Sequence, residues 1–435
     1  MNVPRVSVLC ALLALTAIPA CGGDDSTPEP LAPVPIRAGA ISLVLDGVFA
    51  PYEAERRQAI LAGIGQVEAD VLCLNQVLRE SDKQAVAQAA QTAFPHSAWV
   101  RTNASSVPDD PCDLQGIVPQ LPTTAPCSVP ETVEKLDAAA DCLAANCSTI
   151  PDSKEGLLRK GSCMIQKCAA SSIPLLAGDA EHKRCFSCLL YTVMSETIAD
   201  TQRLCKEDPT AGFAFLGENG TMVLSRYPIS DTSLWVLPAT AWRGVVLSVT
   251  VKPPSAPPLR VHCTTTTGAK SASTQPYAGL YGSGEEGDRA WENESLLQAT
   301  QTVDRVTQTP GPAVVLGDLY SGKEYAEGGE LPLSPLAPDA FAKFESALAE
   351  AVSPDYPPTC TYCADNPLWE GSSSINAWTT HVFLHGLSLE NVTATQRLGT
   401  DNVVKITTEK DGVESTFDAP MTPRYGIMSE VLVPR

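Results

Sequence analysis

The chain runs to 435 residues, 44% of them hydrophobic and 18% charged, which is material for one large α/β domain or two smaller ones rather than a disordered polymer. Fifty acidic against thirty basic side chains give a net charge of −20. A surface that acidic repels phosphate backbones and anionic lipid, so loose, non-specific nucleic-acid binding is not expected, although a local basic pocket is left open.

The first element is an address label. Arg5 supplies a positive start, residues 6–18 form an apolar run too short to span a bilayer comfortably, and Ile18-Pro19-Ala20-Cys21 follows. That tetrapeptide resembles the lipobox of bacterial lipoproteins, with Pro19 an uncommon occupant of its position. The resemblance implies a signal peptide over residues 1–20, cleavage before Cys21 and a lipid on its thiol. An ordinary signal peptide that happens to contain a cysteine is the plainer alternative. The polar, Pro-rich linker over residues 21–37 favours the tether. The expectation is an exported protein that meets the membrane through its lipid. Gly22 stands where inner-membrane lipoproteins carry an Asp, which by analogy points to the bacterial outer membrane. No later segment reaches transmembrane length.

Beyond the linker, residues 41–45 read as a strand and residues 52–69 as a helix, with Ile60, Leu61, Ile64 and Val67 on one face. Residues 70–74 read as a second buried strand. Ser81 caps a helix to Phe94 with Val86 and Ala90 inward. Strand, helix, strand, helix is α/β organisation. From 109 to 208 the composition turns to Cys, Ala and small polar residues, an expected helical insertion. Strand signals resume at 221–224, 244–251, 259–264, 313–316, 381–384, 403–407 and 427–433, with a helix over 291–306. Residues 253–258 and 328–338 read as Pro/Gly-rich loops.

Of fifteen cysteines, nine crowd into the insertion: Cys112, Cys127, Cys142, Cys147, Cys163, Cys168, Cys185, Cys188 and Cys205. In an exported chain that density predicts disulfides. Zinc competes, because Cys185-x-x-Cys188 and Cys360-x-x-Cys363 are ligand-like pairs, but they stand too far apart in sequence to suggest one site. Equal spacing of Cys142/Cys147 and Cys163/Cys168 permits nested bridges, Cys142–Cys168 and Cys147–Cys163, if the pairs lie on antiparallel helices. Cys73 and Cys263, on central strands, read as buried thiols packing as small apolar groups.

Several segments, in order, resemble the endonuclease/exonuclease/phosphatase (DNase I-like) superfamily. Asp70-Val71-Leu72-Cys73-Leu74-Asn75-Gln76-Val77 is similar to its "DVVCLQEV" strand, and Asn219-Gly220 through Ser225-Arg226-Tyr227-Pro228-Ile229 to its "NGLAILSRYPI" segment. Val261-His262-Cys263-Thr264 corresponds to the strand before "THL", Gly317-Asp318 to "GDFN", residues 378–383 to "IDHVF" and Tyr425-Gly426 to "SDHYGV". The resemblance implies a four-layer α/β sandwich, two packed β-sheets flanked by helices, over residues 38–435 and interrupted by the insertion.

It also implies a divalent cation on oxygen ligands that activates water against a phosphoester. Here the motifs are degenerate. The metal-binding Glu falls on Gln76, an amide without the charge that holds a hard cation, and the Asn of the first strand falls loosely on Asp46. The catalytic His falls on Thr265, the Asn of "GDFN" on Tyr320 and the terminal Asp-His pair on Pro423 and Arg424, while Thr380 replaces the Asp of "IDHVF". Asp318 is retained, either as a catalytic remnant or because a tight turn after a buried strand favours Gly-Asp. Arg226 and Arg243 near the mouth could bind an anion or form structural salt bridges. His381 and His385, four apart on a strand, read as surface neighbours, and no Gly-x-Ser-x-Gly elbow occurs. The expectation is a pseudoenzyme without a cofactor, a binding or structural module for an unidentified protein or small molecule. The alternative is an active phosphodiesterase that uses Mg²⁺ in a rearranged site around Asp46, Gln76 and Asp318.

Overall fold

The computed structural model describes residues 31–46, 50–101, 124–150, 154–268, 275–325, 332–369, 375–401, 403–410 and 413–435. The proposed signal peptide, Cys21 and Cys112 lie outside them. The chain opens with β1 (Val34–Leu45), α1 (Glu53–Gly63), β2 (Val71–Val77), α2 (Glu80–Ala90) and β3 (His96–Trp99). Five helices follow: α3 (Pro130–Cys147), α4 (Lys154–Lys167), α5 (Ala169–Leu176), α6 (Ala180–Val193) and α7 (Ile198–Glu207). Next come β4 (Met222–Ser225), β5 (Ile229–Leu237), β6 (Gly244–Val251), β7 (Leu259–Thr264), α8 (Gly287–Thr307), β8 (Ala313–Asp318) and α9 (Pro338–Glu345). The chain closes with β9 (Ala349–Glu350), β10 (Thr380–His385), β11 (Val392–Leu398), β12 (Val403–Lys410), β13 (Val413–Pro420) and β14 (Gly426–Val433).

Two six-stranded mixed sheets result, ordered β11-β14-β1-β2-β4-β3 and β5-β6-β7-β8-β10-β9, beside the separate β12-β13 hairpin. Their central strands are apolar on both faces, as strands covered on both sides must be. Val71 and Cys73 point into the core between the sheets, while Leu72 and Leu74 point outward to Ile60, Val86 and Phe94 of the α1/α2 layer. Along β8, Val314 and Leu316 face inward and Val315 faces Phe341 and Phe344 of α9. The expected four layers are present: helices, sheet, sheet, helices.

Helices α3–α7 occupy the chain between the paired strands β3 and β4 and enclose their own core around Leu136, Leu143, Cys185, Leu189 and Cys205. Four disulfides cross it: Cys127–Cys185, Cys142–Cys168, Cys147–Cys163 and Cys188–Cys205. The middle two are the nested pair that the spacing permits. Cys360 and Cys363 are also bridged.

Three expectations need correction. Cys73 and Cys263 are not thiols but a disulfide joining β2 of one sheet to β7 of the other, because both occupy inward positions that face across the core with Cα atoms 5.4 Å apart. His381 is not a surface residue: it is buried, with Nδ1 2.7 Å from Glu350 Oε1 and Nε2 2.7 Å from the carbonyl of Ser321. The stretch read as a loop over 328–338 carries, where described, bridges from Leu333 to Tyr325 and Leu336 to Gly322, and its Pro338 starts α9.

Candidate functional site

The parallel pairs β1/β2 and β7/β8 end on the same side of the sandwich, so Asp46, Gln76, Thr265 and Asp318 all arrive at one end. The antiparallel strands β10 and β14 begin there, bringing Thr380 and Arg424. Asn75 stitches the floor across the two sheets: its Nδ2 donates to Thr264 O at 3.2 Å and its Oδ1 accepts from the Asp318 amide at 3.0 Å. Gly317 permits this approach, since a Cβ there would lie 1.8 Å from Thr264 O.

The retained carboxylate has a partner. Asp318, fully buried, lies 3.3 Å from Arg424 Nη1, and the Arg424 guanidinium stacks on Tyr320 at 4.1 Å and Tyr362 at 4.4 Å. Burial alone would push this guanidinium down, but Tyr320, Asp318 and Tyr362 together raise it, so Arg424 is held as a cation. Asp318 is also the last residue of β8, paired with Thr380 of β10.

Gln76 is equally committed. Ser42 Oγ donates to its Oε1 at 2.5 Å, and its Nε2 donates to the Tyr320 hydroxyl at 2.9 Å. Both Gln76 and Tyr320 adopt left-handed backbone, φ 57° and 47°, a costly conformation of the kind that clusters at functional sites. Thr265 Oγ1 donates to Asp318 O at 2.7 Å, so the hydroxyl at the expected histidine position closes a loop. Asp46 is buried; burial lowers the Arg56 guanidinium to about 10 with the Asp46 charge opposing it, and burial raises the Tyr320 hydroxyl with Asp46 adding to it. Pro423 is buried in the turn before β14.

These residues do not fit a hard cation. The amide oxygen of Gln76 is engaged, and the Asp318 carboxylate faces a guanidinium. A dication would have to displace that buried pair, at roughly 3–5 kcal/mol, and then sit beside Arg424. Among the His, Cys, Asp and Glu side chains of the described residues, the one group of three that gathers closely is Cys360, Cys363 and Asp365, and its two sulfurs are bonded to each other.

A pocket opens beside the plugged floor, lined by Gln76, Arg243, Thr265, Thr267, Gln298 and Tyr320 among others. Burial lowers Arg243, while Glu218 pulls it back up. Arg226 lies outside this group; it pairs with Asp70 at 3.6 Å and covers Phe94, the salt bridge that the sequence permits. Sequence reasoning missed Asn75, Tyr362 and Gln298. A buried Asn between strand apolar residues was the signal for the first; nothing local announces the others.

The sequence model of the Endonuclease/Exonuclease/phosphatase family matches residues 48–381. The chain belongs to that family. No curated relative matches the sequence. Among solved structures, beta toxin from Staphylococcus aureus, crystallised as a double mutant with bound magnesium ions, is 10% identical with a TM-score of 0.49, covering 92% of this chain and 100% of its own. Sphingomyelinase C from Streptomyces griseocarneus is 11% identical with a TM-score of 0.47, covering 92% and 99%. An endonuclease/exonuclease/phosphatase from Beutenbergia cavernae is 14% identical with a TM-score of 0.44, covering 92% and 72%.

Proposed function

We propose that this member of the family is exported, anchored by lipid on Cys21, and uses its cleft to bind rather than to hydrolyse. The buried Asp318–Arg424 pair between Tyr320 and Tyr362 carries the reading. It puts a fixed cation where the family's base is expected and neutralises the retained carboxylate. Loss of a general base costs about 10²–10⁴ in rate and loss of one electrostatic stabiliser about 10²–10³, so losing both leaves little hydrolysis. The adjoining pocket offers amide, hydroxyl and guanidinium groups, a donor set for a small polar or anionic ligand. Six disulfides among the described residues suit an oxidising compartment.

Two experiments test this. The full chain, titrated with Mg²⁺, Mn²⁺ and Ca²⁺, is expected to hydrolyse DNA, sphingomyelin and a bis-aryl phosphodiester no faster than its Asp318→Ala variant. A metal-dependent activity that the substitution removes would make it an enzyme. Separately, Cys21→Ser is expected to abolish lipid labelling and shift the protein out of the membrane fraction; unchanged partitioning would end the anchoring proposal.

A further inference from the structure

The Cys360–Cys363 bridge differs from the other five in what surrounds it. Arg397 of β11 donates from Nη2 to Cys363 Sγ at 2.9 Å, with Cys360 Sγ 3.9 Å away. The same guanidinium stacks on Tyr425 at 3.6 Å, which fixes it in place. Cys363 is fully buried, and Cys360 is part-buried at the edge of the core between the sheets. The bridge also spans only 3 residues, against 16 to 190 for the others, so it contributes least by constraining the unfolded chain. Stability is therefore a poor reason for it, and a cation on one sulfur is a good reason for reactivity.

We propose that Cys360–Cys363 is a thiol–disulfide exchange site for a dithiol substrate, with Cys360 the attacked sulfur and Cys363 the leaving group. A substrate thiolate attacks Cys360 Sγ; the bridge breaks and its electron pair goes to Cys363 Sγ, where Arg397 holds the thiolate. The substrate's second thiol, on losing its proton, attacks the substrate sulfur of the mixed disulfide. The substrate closes its own disulfide and Cys360 leaves as a thiolate that takes a proton. The dithiol gives up two electrons and two protons, and the bridge receives the two electrons. A lower-pKa leaving thiol leaves faster, which is the part Arg397 plays. Asp365, exposed and within 4.8 Å of the sulfurs, opposes it, but no hydrogen bond ties it to Cys363 as one ties Arg397. Exchange here reaches the cleft: Tyr362, between the two cysteines, stacks on Arg424, and Thr361 accepts from the Tyr425 amide at 2.9 Å.

The test is graded reduction of the full chain with dithiothreitol, followed by alkylation and peptide mass mapping. Cys360 and Cys363 are expected to label at about tenfold less reductant than any other bridged pair. Arg397→Met is expected to move that midpoint several-fold upward, with Arg397→Lys between. Because Arg397→Met could disturb the fold, the ultraviolet absorbance of the Cys363 thiolate in Cys360→Ser gives a second reading: its titration midpoint is expected below that of an ordinary thiol. All bridges opening together, an unmoved midpoint in a folded Arg397→Met, or an ordinary thiol titration would each overturn the proposal.

Discussion

His262 lies in the core on β7, with Nδ1 2.7 Å from Ser248 Oγ and its ring against Trp235. Burial, helped by Arg260 and His385, pushes the imidazole from 6.5 down to about 3. Between those values the unfolded chain takes a proton that the folded chain refuses. The contribution is therefore full above 6.5 and is lost as pH falls toward 3. At 1.36 kcal/mol per unit the full window is worth on the order of 5 kcal/mol. Glu294 acts in the opposite direction. Burial raises its carboxyl despite hydrogen bonds from Thr240, Tyr277 and Thr267, so its contribution is present at low pH and lost as pH rises through its folded value. Denaturant midpoints measured from pH 7 down to pH 4 are expected to fall less steeply in His262→Asn than in the parent chain. Equal slopes would show that the histidine is not the titrating group.

At the scale of elements, what the sequence disclosed depended on burial. Strands β2, β6, β7, β8 and β10 were legible because both faces are covered and they read as continuous apolar runs. Strands β5 and β11 were not. They are sheet edges, largely part-exposed, and carry Ser, Thr, Asp and Arg that read as loop; β5 also holds Asp231 at φ 50° inside a register shift. The hairpin partner β13 (Val413–Pro420) was missed for the same reason, while its neighbour β12 showed through Val403, Val404 and Ile406. The site was legible only as a set of departures from a family pattern. That Arg424 pairs with Asp318 could not be read, because the two lie more than 100 positions apart and no local periodicity links an ion pair across a sandwich. The inward run 264–267 illustrates the same limit: four threonines look like filler, yet Thr264 caps the carbonyl of Val245, Thr265 that of Asp318 and Thr266 that of Leu319, and the Thr267 amide donates to Gln298.

The molecule as a whole depends on how its two sheets are held face to face. Apolar burial between them is continuous, from Val71 and Val223 on one side to Leu247, Val261 and Leu316 on the other, and Cys73–Cys263 ties that interface covalently. The bridge encloses 190 positions of chain, including all of α3–α7. An uninterrupted loop of that size would bring slightly more than about 5 kcal/mol by restricting the unfolded state. Cys127–Cys185 and Cys188–Cys205 lie within it and shorten the free path, so the gain is smaller than for an open loop. Both sulfurs are fully buried, and replacing them with alanine also removes packing volume from the centre of the sandwich. The double variant Cys73→Ala/Cys263→Ala is therefore expected to fold to the same sandwich but to lose roughly 2–5 kcal/mol in equilibrium denaturation, with the two sheets still unfolding together. A loss within about 0.5 kcal/mol of zero would mean that the apolar interface alone sets the pairing of the sheets.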